Sequence, residues 1–133
     1  MRKQINSIFV YLFFIACWIF FFYFYPYHLH YKEQITLCVL QPDFLQTYLQ
    51  KPAFLTEICG DYLTQFFLWT GGGSSILTLT FVFTWLGLRI ALRKTGITSH
   101  VSLWALLPIV AEWALSCHLE YPLSMSLGLM YSV

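Results

Sequence analysis

Glu112 is the residue of this 133-residue chain best placed to do chemistry, because it interrupts an otherwise uncharged apolar run from Val101 to Leu119. A carboxyl group in such surroundings is expensive and must face protein, water or a partner. Two roles fit. A protonated or paired glutamate can lock two helices together, and a glutamate that meets water can carry a proton or touch a substrate. Pro108 lies four residues earlier and leaves the Trp104 carbonyl without a helical donor, which predicts a kink there.

Two clusters stand at the ends of apolar runs: His28, His30 and Glu33 after the first, and His118 and Glu120 after the last. A His-x-His pair with a carboxylate offers metal-ligand chemistry. The same residues at a boundary serve equally as solvated caps. No spacing fixes ligand number or geometry. The sequence therefore assigns no metal or other cofactor and leaves His28, His30 and His118 as candidate ligands only.

The four cysteines do not form a zinc pattern. Cys38 with Cys59 is the one pairing worth considering, and free buried thiols are the alternative. Gly71-Gly72-Gly73-Ser74-Ser75 has the glycine content of a phosphate loop but lacks its Gly-Lys-Ser/Thr ending and a preceding strand. It reads as a flexible entry turn with a serine cap for the next helix.

The elements that must position these groups follow from composition. Hydrophobic residues make up 59% of the chain and charged residues 10%, against about 25% charged in soluble domains. A soluble globule of this size has too much surface to hide so many apolar side chains. The apolar residues also come in long runs. The chain is expected to be all-α, a polytopic transmembrane helical protein forming one membrane domain over 1–133. Spans are expected at about 8–25, 76–92 and 101–119. The first reads as an uncleaved signal anchor, since no small-x-small site follows it. Net charge is +1, so no pull toward nucleic acid is implied.

Residues 26–73 form the first loop. Two short amphipathic helices are predicted there, joined at Lys51-Pro52. The first opens at Pro42-Asp43. The second carries Phe54, Leu55, Ile58, Tyr62, Leu63, Phe66 and Phe67 on one stripe, with Glu57, Asp61 and Gln65 opposite. Such helices would lie at the membrane surface or pack on other spans. Five of the seven Lys and Arg residues, Arg2, Lys3, Arg89, Arg93 and Lys94, fall at one end of the first helical hairpin. Basic residues stay in the cytoplasm, so the N-terminus is expected inside and loop 26–73 outside. Arg89, still within the second span, is expected to snorkel to the interface. Tyr23, Tyr25, Tyr27 and Tyr31 would form an outer aromatic belt. Leu123 to Val133 is apolar but too short to span, and reads as a fourth span cut short.

The segments Tyr25-Pro26-Tyr27-His28-Leu29-His30-Tyr31-Lys32-Glu33-Gln34 and Tyr62-Leu63-Thr64-Gln65-Phe66-Phe67 resemble the N-terminal part of a family of uncharacterised multi-pass membrane proteins from Bacteroidota. That resemblance implies a location in a bacterial inner membrane and supplies no activity. The layout resembles, more distantly, the start of membrane glycosyltransferases of the GT-C type. These carry a catalytic acid early in the first outer loop, and the resemblance places Glu33 there as a general base or metal ligand. Their usual acid is an Asp in a short acidic motif, absent here.

Three functional readings remain. The chain is a non-enzymatic membrane subunit or N-terminal fragment, the start of a glycosyltransferase-like enzyme, or a transporter-like piece using Glu112. In each, its partners are the lipid bilayer and further membrane helices: a second copy, another protein or a missing C-terminal part.

Overall fold

The computed structural model describes residues 2–35, 43, 46, 49–96, 100–118 and 120–133, with side chains from residue 6 onward except those of Glu33 and Ile35. The described residues form helices and turns, with no strand among them. Helix α1 is Arg2–Tyr23, α2 Pro26–Ile35 and α3 Phe54–Thr64, followed by a 3-10 turn Gln65–Leu68. Helix α4 is Gly72–Lys94, α5 Val101–Trp104, α6 Leu106–Ser116 and α7 Leu123–Ser132.

Helices α1 and α4 have 22 and 23 residues. At 1.5 Å per residue each is about 33–35 Å long, enough to cross a hydrocarbon layer of about 30 Å. They pack antiparallel. Phe14 meets Trp85 edge-on at 5.9 Å, Phe21 lies by Phe81, and Trp18 Nε1 donates to Ser75 Oγ at 3.1 Å. The opposite end is tied by Asn6 and His100, whose Nδ2 and Nδ1 are 3.0 Å apart. The two basic ends of this hairpin therefore share one end of the bundle.

The third apolar segment is helical over 101–116, broken at Ala105 between α5 and α6. The break falls just before Pro108, as the missing Trp104 hydrogen bond requires. Trp85 Nε1 donates to the Ser102 carbonyl at 3.1 Å and holds α5 against α4.

Several expectations need correction. The glycine-serine run is no flexible turn ending in a serine cap. Gly71 is the cap, at φ 84, and α4 starts at Gly72. Ser74 is inside the helix, where its hydroxyl donates to the Gly71 carbonyl at 3.0 Å. The positive φ favours glycine at 71. At 73 the reason is space, because a Cβ there would lie 3.0–3.1 Å from Leu29 and Phe67.

The second amphipathic helix starts at Phe54, with Ala53 as a left-handed cap, rather than at Pro52. Its buried residues are Gly60 and Thr64, whereas Leu55, Tyr62 and Phe66 of the predicted apolar stripe are exposed. Hydrophobic periodicity assumed an aqueous exterior. Here Gly60 and Thr64 face the neighbour, Leu63 and Phe67 of the stripe pack against the core, and Leu55, Tyr62 and Phe66 face out. The first amphipathic helix lies mostly outside the described residues, though Asp43, Gln46 and Leu49 are helical. Cys38 lies outside them altogether, while Cys17, Cys59 and Cys117 are free thiols.

Arg89 does not simply extend away from the bundle. Its guanidinium lies over the Trp85 ring at 5.2 Å, a cation–π contact. Tyr23, Tyr27 and Tyr31 are exposed as an aromatic belt requires, but Tyr25 turns inward against Phe20.

Helix α7 runs alongside both α3 and α4. A Cβ built on Gly60 would sit 2.8 Å from the Ser124 nitrogen and 2.9 Å from its Cα, so the two backbones touch. Ala exceeds Gly in helix propensity by about 1 kcal/mol, yet overpacking against rigid backbone costs about 1–3 kcal/mol. Gly60→Ala is therefore expected to lower the stability of the purified chain in detergent unfolding. An increase would mean that α3 and α7 are not in close contact.

Candidate functional site

The buried face of α6 is Ile109, Glu112 and Ser116, spaced i, i+3 and i+7. Glu112 and Ser116, four residues apart, therefore stack on one side of the helix. The opposite face carries Leu107, Val110 and Leu115, all exposed. Helix α7 answers with buried Leu123, Ser126 and Leu127. Ser126 faces the Glu112 carboxyl, but no hydrogen bond of good geometry closes between them. Glu112 is 2% exposed, Ser116 1% and Ser126 0%. Both carboxyl oxygens and both hydroxyls lack a protein hydrogen-bond partner. Buried polar groups are normally satisfied; single nitrogens of His28, His30, Arg89 and Trp113 are also unpartnered, but this cluster gathers four such oxygens in one place.

Above it, at the end of the bundle nearest α2 and α3, is a cavity of about 370 Å³. Lys32, Asp61, Thr64, Ser116, Glu120 and Ser126 supply its polar walls. Ser116 and Ser126 thus connect the cavity to Glu112, one helical turn deeper.

Lys32 closes the site from α2. It is 8% exposed, and its Nζ donates to the Ser116 carbonyl at 3.0 Å and the Tyr121 carbonyl at 3.1 Å. Ser116 is the last residue of α6, so the ammonium caps carbonyls the helix cannot satisfy itself. It also sits at the negative end of the helix dipole. Burial pushes the Lys32 pKa down from 10.5 to about 8. Burial, helped by the Lys32 charge, likewise holds the His28 imidazole below its usual range, and burial pushes the Tyr121 phenol up.

The candidate metal ligands are only partly brought together. His28 lies against Tyr25 and near His118. His30, two residues on and across the helix, lines a separate small cleft with Phe21, Leu29 and Phe67. Glu112 faces Ser126 and not these histidines. Among the described residues no group of three His, Cys, Asp or Glu side chains is arranged to hold a metal. Glu33 belongs to α2, but its side chain lies outside the described residues. Glu120 is exposed on the link between α6 and α7 and lines the cavity. Ser116 went unread, although it lies one turn after Glu112. Lys32, Tyr121 and Ser126 join the site only through tertiary contacts, which no spacing announces.

Fold and site together define an all-helical protein in which two helices are long and apolar enough to cross a membrane, with a polar cavity at one end of the bundle. Over residues 1–133 the chain matches, and belongs to, a family of unknown function (DUF6057). No curated protein and no solved structure matches it.

Lys32→Met removes both carbonyl caps, and hydrogen bonds to a charged group contribute about 1.5–3 kcal/mol each. The variant is expected to unfold at a lower temperature than the parent. Lys32 itself contributes more stability as pH rises from about 8, because the unfolded chain there binds the proton that folded Lys32 has lost. In thermal unfolding between pH 7.5 and 9.5 the parent should therefore gain on Lys32→Met as pH rises.

Proposed function

We propose that the chain is a multi-pass bundle of a bacterial inner membrane that acts as a structural and assembly piece of a larger membrane unit, without catalysis of its own. One observation carries the reading: the two long helices turn most of their apolar surface outward, while polar side chains are buried within the bundle. Only 22% of the apolar window of α1 and 28% of that of α4 is buried, whereas a core helix of a soluble protein would be mostly covered. Ile8, Leu12, Ile15 and Ile19 form an exposed stripe on α1, and Leu79, Phe83, Leu86 and Ile90 form one on α4. Both stripes repeat at helical spacing. The interior holds Ser74, Thr80, Thr84, Glu112, Ser116 and Ser126.

On this reading the spans are about 8–25, 76–92 and 101–119. The third helix, 16 residues from 101 to 116 inclusive, is about 24 Å long, shorter than the other two. Basic residues at one end of the hairpin support a cytoplasmic N-terminus. The resemblance to Bacteroidota membrane proteins supports the inner membrane. The exposed stripes offer surfaces for lipid and for further helices, whether of a second copy, a partner or a longer chain. The glycosyltransferase reading gains nothing from the described geometry, since it rests on Glu33. The buried Glu112 favours an ion-linked role as a second reading.

Alkaline phosphatase fused after residue 50 is expected to be active, and fused after residue 96 inactive. The protein should stay in the pellet after an alkaline carbonate wash. Release by carbonate, or the reverse pattern of fusions, contradicts the proposal.

A further inference from the structure

We propose that Glu112, Ser116 and Ser126 form a binding site for a monovalent alkali cation, entered from the cavity between α2, α3 and the α6–α7 link. The inference deepens the second reading and rests on the membrane placement, because hydrocarbon sets the cost of a bare carboxylate.

Glu112 Oε1 and Oε2, Ser116 Oγ and Ser126 Oγ are all buried without a protein partner, and all belong to residues at least 98% covered. A buried hydroxyl or carboxyl left unpaired is costly. The buried threonines avoid that cost. The Thr64, Thr80 and Thr84 hydroxyls each donate to the carbonyl four residues back. The Glu112 cluster makes no such bond, and its four oxygens share one locality. Such a set is complete only with an occupant.

The chemistry of the oxygens names the occupant. An acid within hydrocarbon carries either a proton or a counter-charge. One carboxylate with two neutral hydroxyls presents a single negative charge, which one monovalent cation balances. The ligands are all oxygen, with no nitrogen or thiolate to select a transition metal. Calcium takes six to eight oxygens, usually with several carboxylates, and magnesium demands an octahedron. A set of one acid and two serines suits neither as well as it suits an alkali ion.

A route exists. Ser116 and Ser126 line the cavity, and Asp61 and Glu120 stand in its walls, acids that raise the local cation concentration. Lys32 is the opposing charge, and its ammonium is engaged with the Ser116 and Tyr121 carbonyls. The titratable groups facing the route are thus Tyr31 and Lys32 from α2, Asp61 from α3, and Glu120 and Tyr121 from the link. Proton and cation compete for the same carboxylate.

The test is thermal unfolding of the full chain in detergent, in NaCl, LiCl, KCl or choline chloride at equal ionic strength. The expected result is a saturable rise of Tm with Na⁺ or another alkali ion that choline does not reproduce. Lowering the pH should raise the half-saturating concentration, by up to tenfold per unit. Glu112→Gln should abolish the response. Ser116→Ala removes an unpaired hydroxyl and keeps the fold, and should weaken binding about tenfold, the equivalent of one lost ligand contact. A Tm that follows ionic strength alone, or an unchanged response in Ser116→Ala and Glu112→Gln, overturns the site. That failure leaves the fusion and carbonate results untouched, so it is distinguishable from failure of the membrane reading.

Discussion

The arrangement depends on one constraint: large apolar side chains must find an apolar exterior. Phe83, Leu79 and Ile90 of α4 face out, while Thr80 and Thr84 of the same helix face in. Water would reverse that preference, since burying a Leu or Phe side chain is worth about 1.5–3 kcal/mol. In the proposed membrane placement lipid removes it, because hydrocarbon solvates these residues as well as a protein core does. The interior then holds polar side chains beside Phe14, Phe21, Phe81 and Trp85. Threonines can occupy it because their hydroxyls return to their own helix, as side chains in helices commonly do.

With no hydrophobic drive between helices, close contact must come from small residues and from specific polar ties. The structure uses both. Gly60 brings α3 onto the Ser124 backbone, and Gly73 brings α4 against Leu29 and Phe67. The Trp18–Ser75 and Trp85–Ser102 hydrogen bonds fix how α1, α4 and α5 face one another. Lys32 ties α2 to the end of α6. The Lys32 tie also forms a wall of the cavity, so there packing and candidate site are one construction. Glu112 is where that economy stops, since its partners cannot come from its own helix.

The helical class and the two long apolar helices were legible because charge-free runs of span length have few other solutions. The Ala105 break was legible from Pro108. The packing face of α3 was legible only in part. Apolar spacing selects Leu63 and Phe67, which pack inward beside Gly60 and Thr64, together with Leu55, Tyr62 and Phe66, which face out. The start of α4 was misplaced for a related reason. Three glycines suggest flexibility, yet here they allow close approach. Within the site, Glu112 announced itself as an acid in an apolar run, whereas Ser116 went unread although its i+4 spacing puts it on the same face. Lys32 looked like an ordinary loop charge. Its role comes from meeting carbonyls 84 and 89 residues away in sequence, and no local pattern encodes such a contact.

The central claim is that the exposed faces of the long helices meet lipid. Spin labels at positions 79, 83 and 84 of the reconstituted protein, with its native cysteines replaced, test it most directly. Leu79 and Phe83 are 54% and 55% exposed and Thr84 is 0% exposed. Labels at 79 and 83 are expected to relax readily with oxygen and hardly at all with a water-soluble nickel chelate, while the label at 84 responds to neither. A nickel chelate that reaches 79 and 83 as readily as oxygen does would contradict the account.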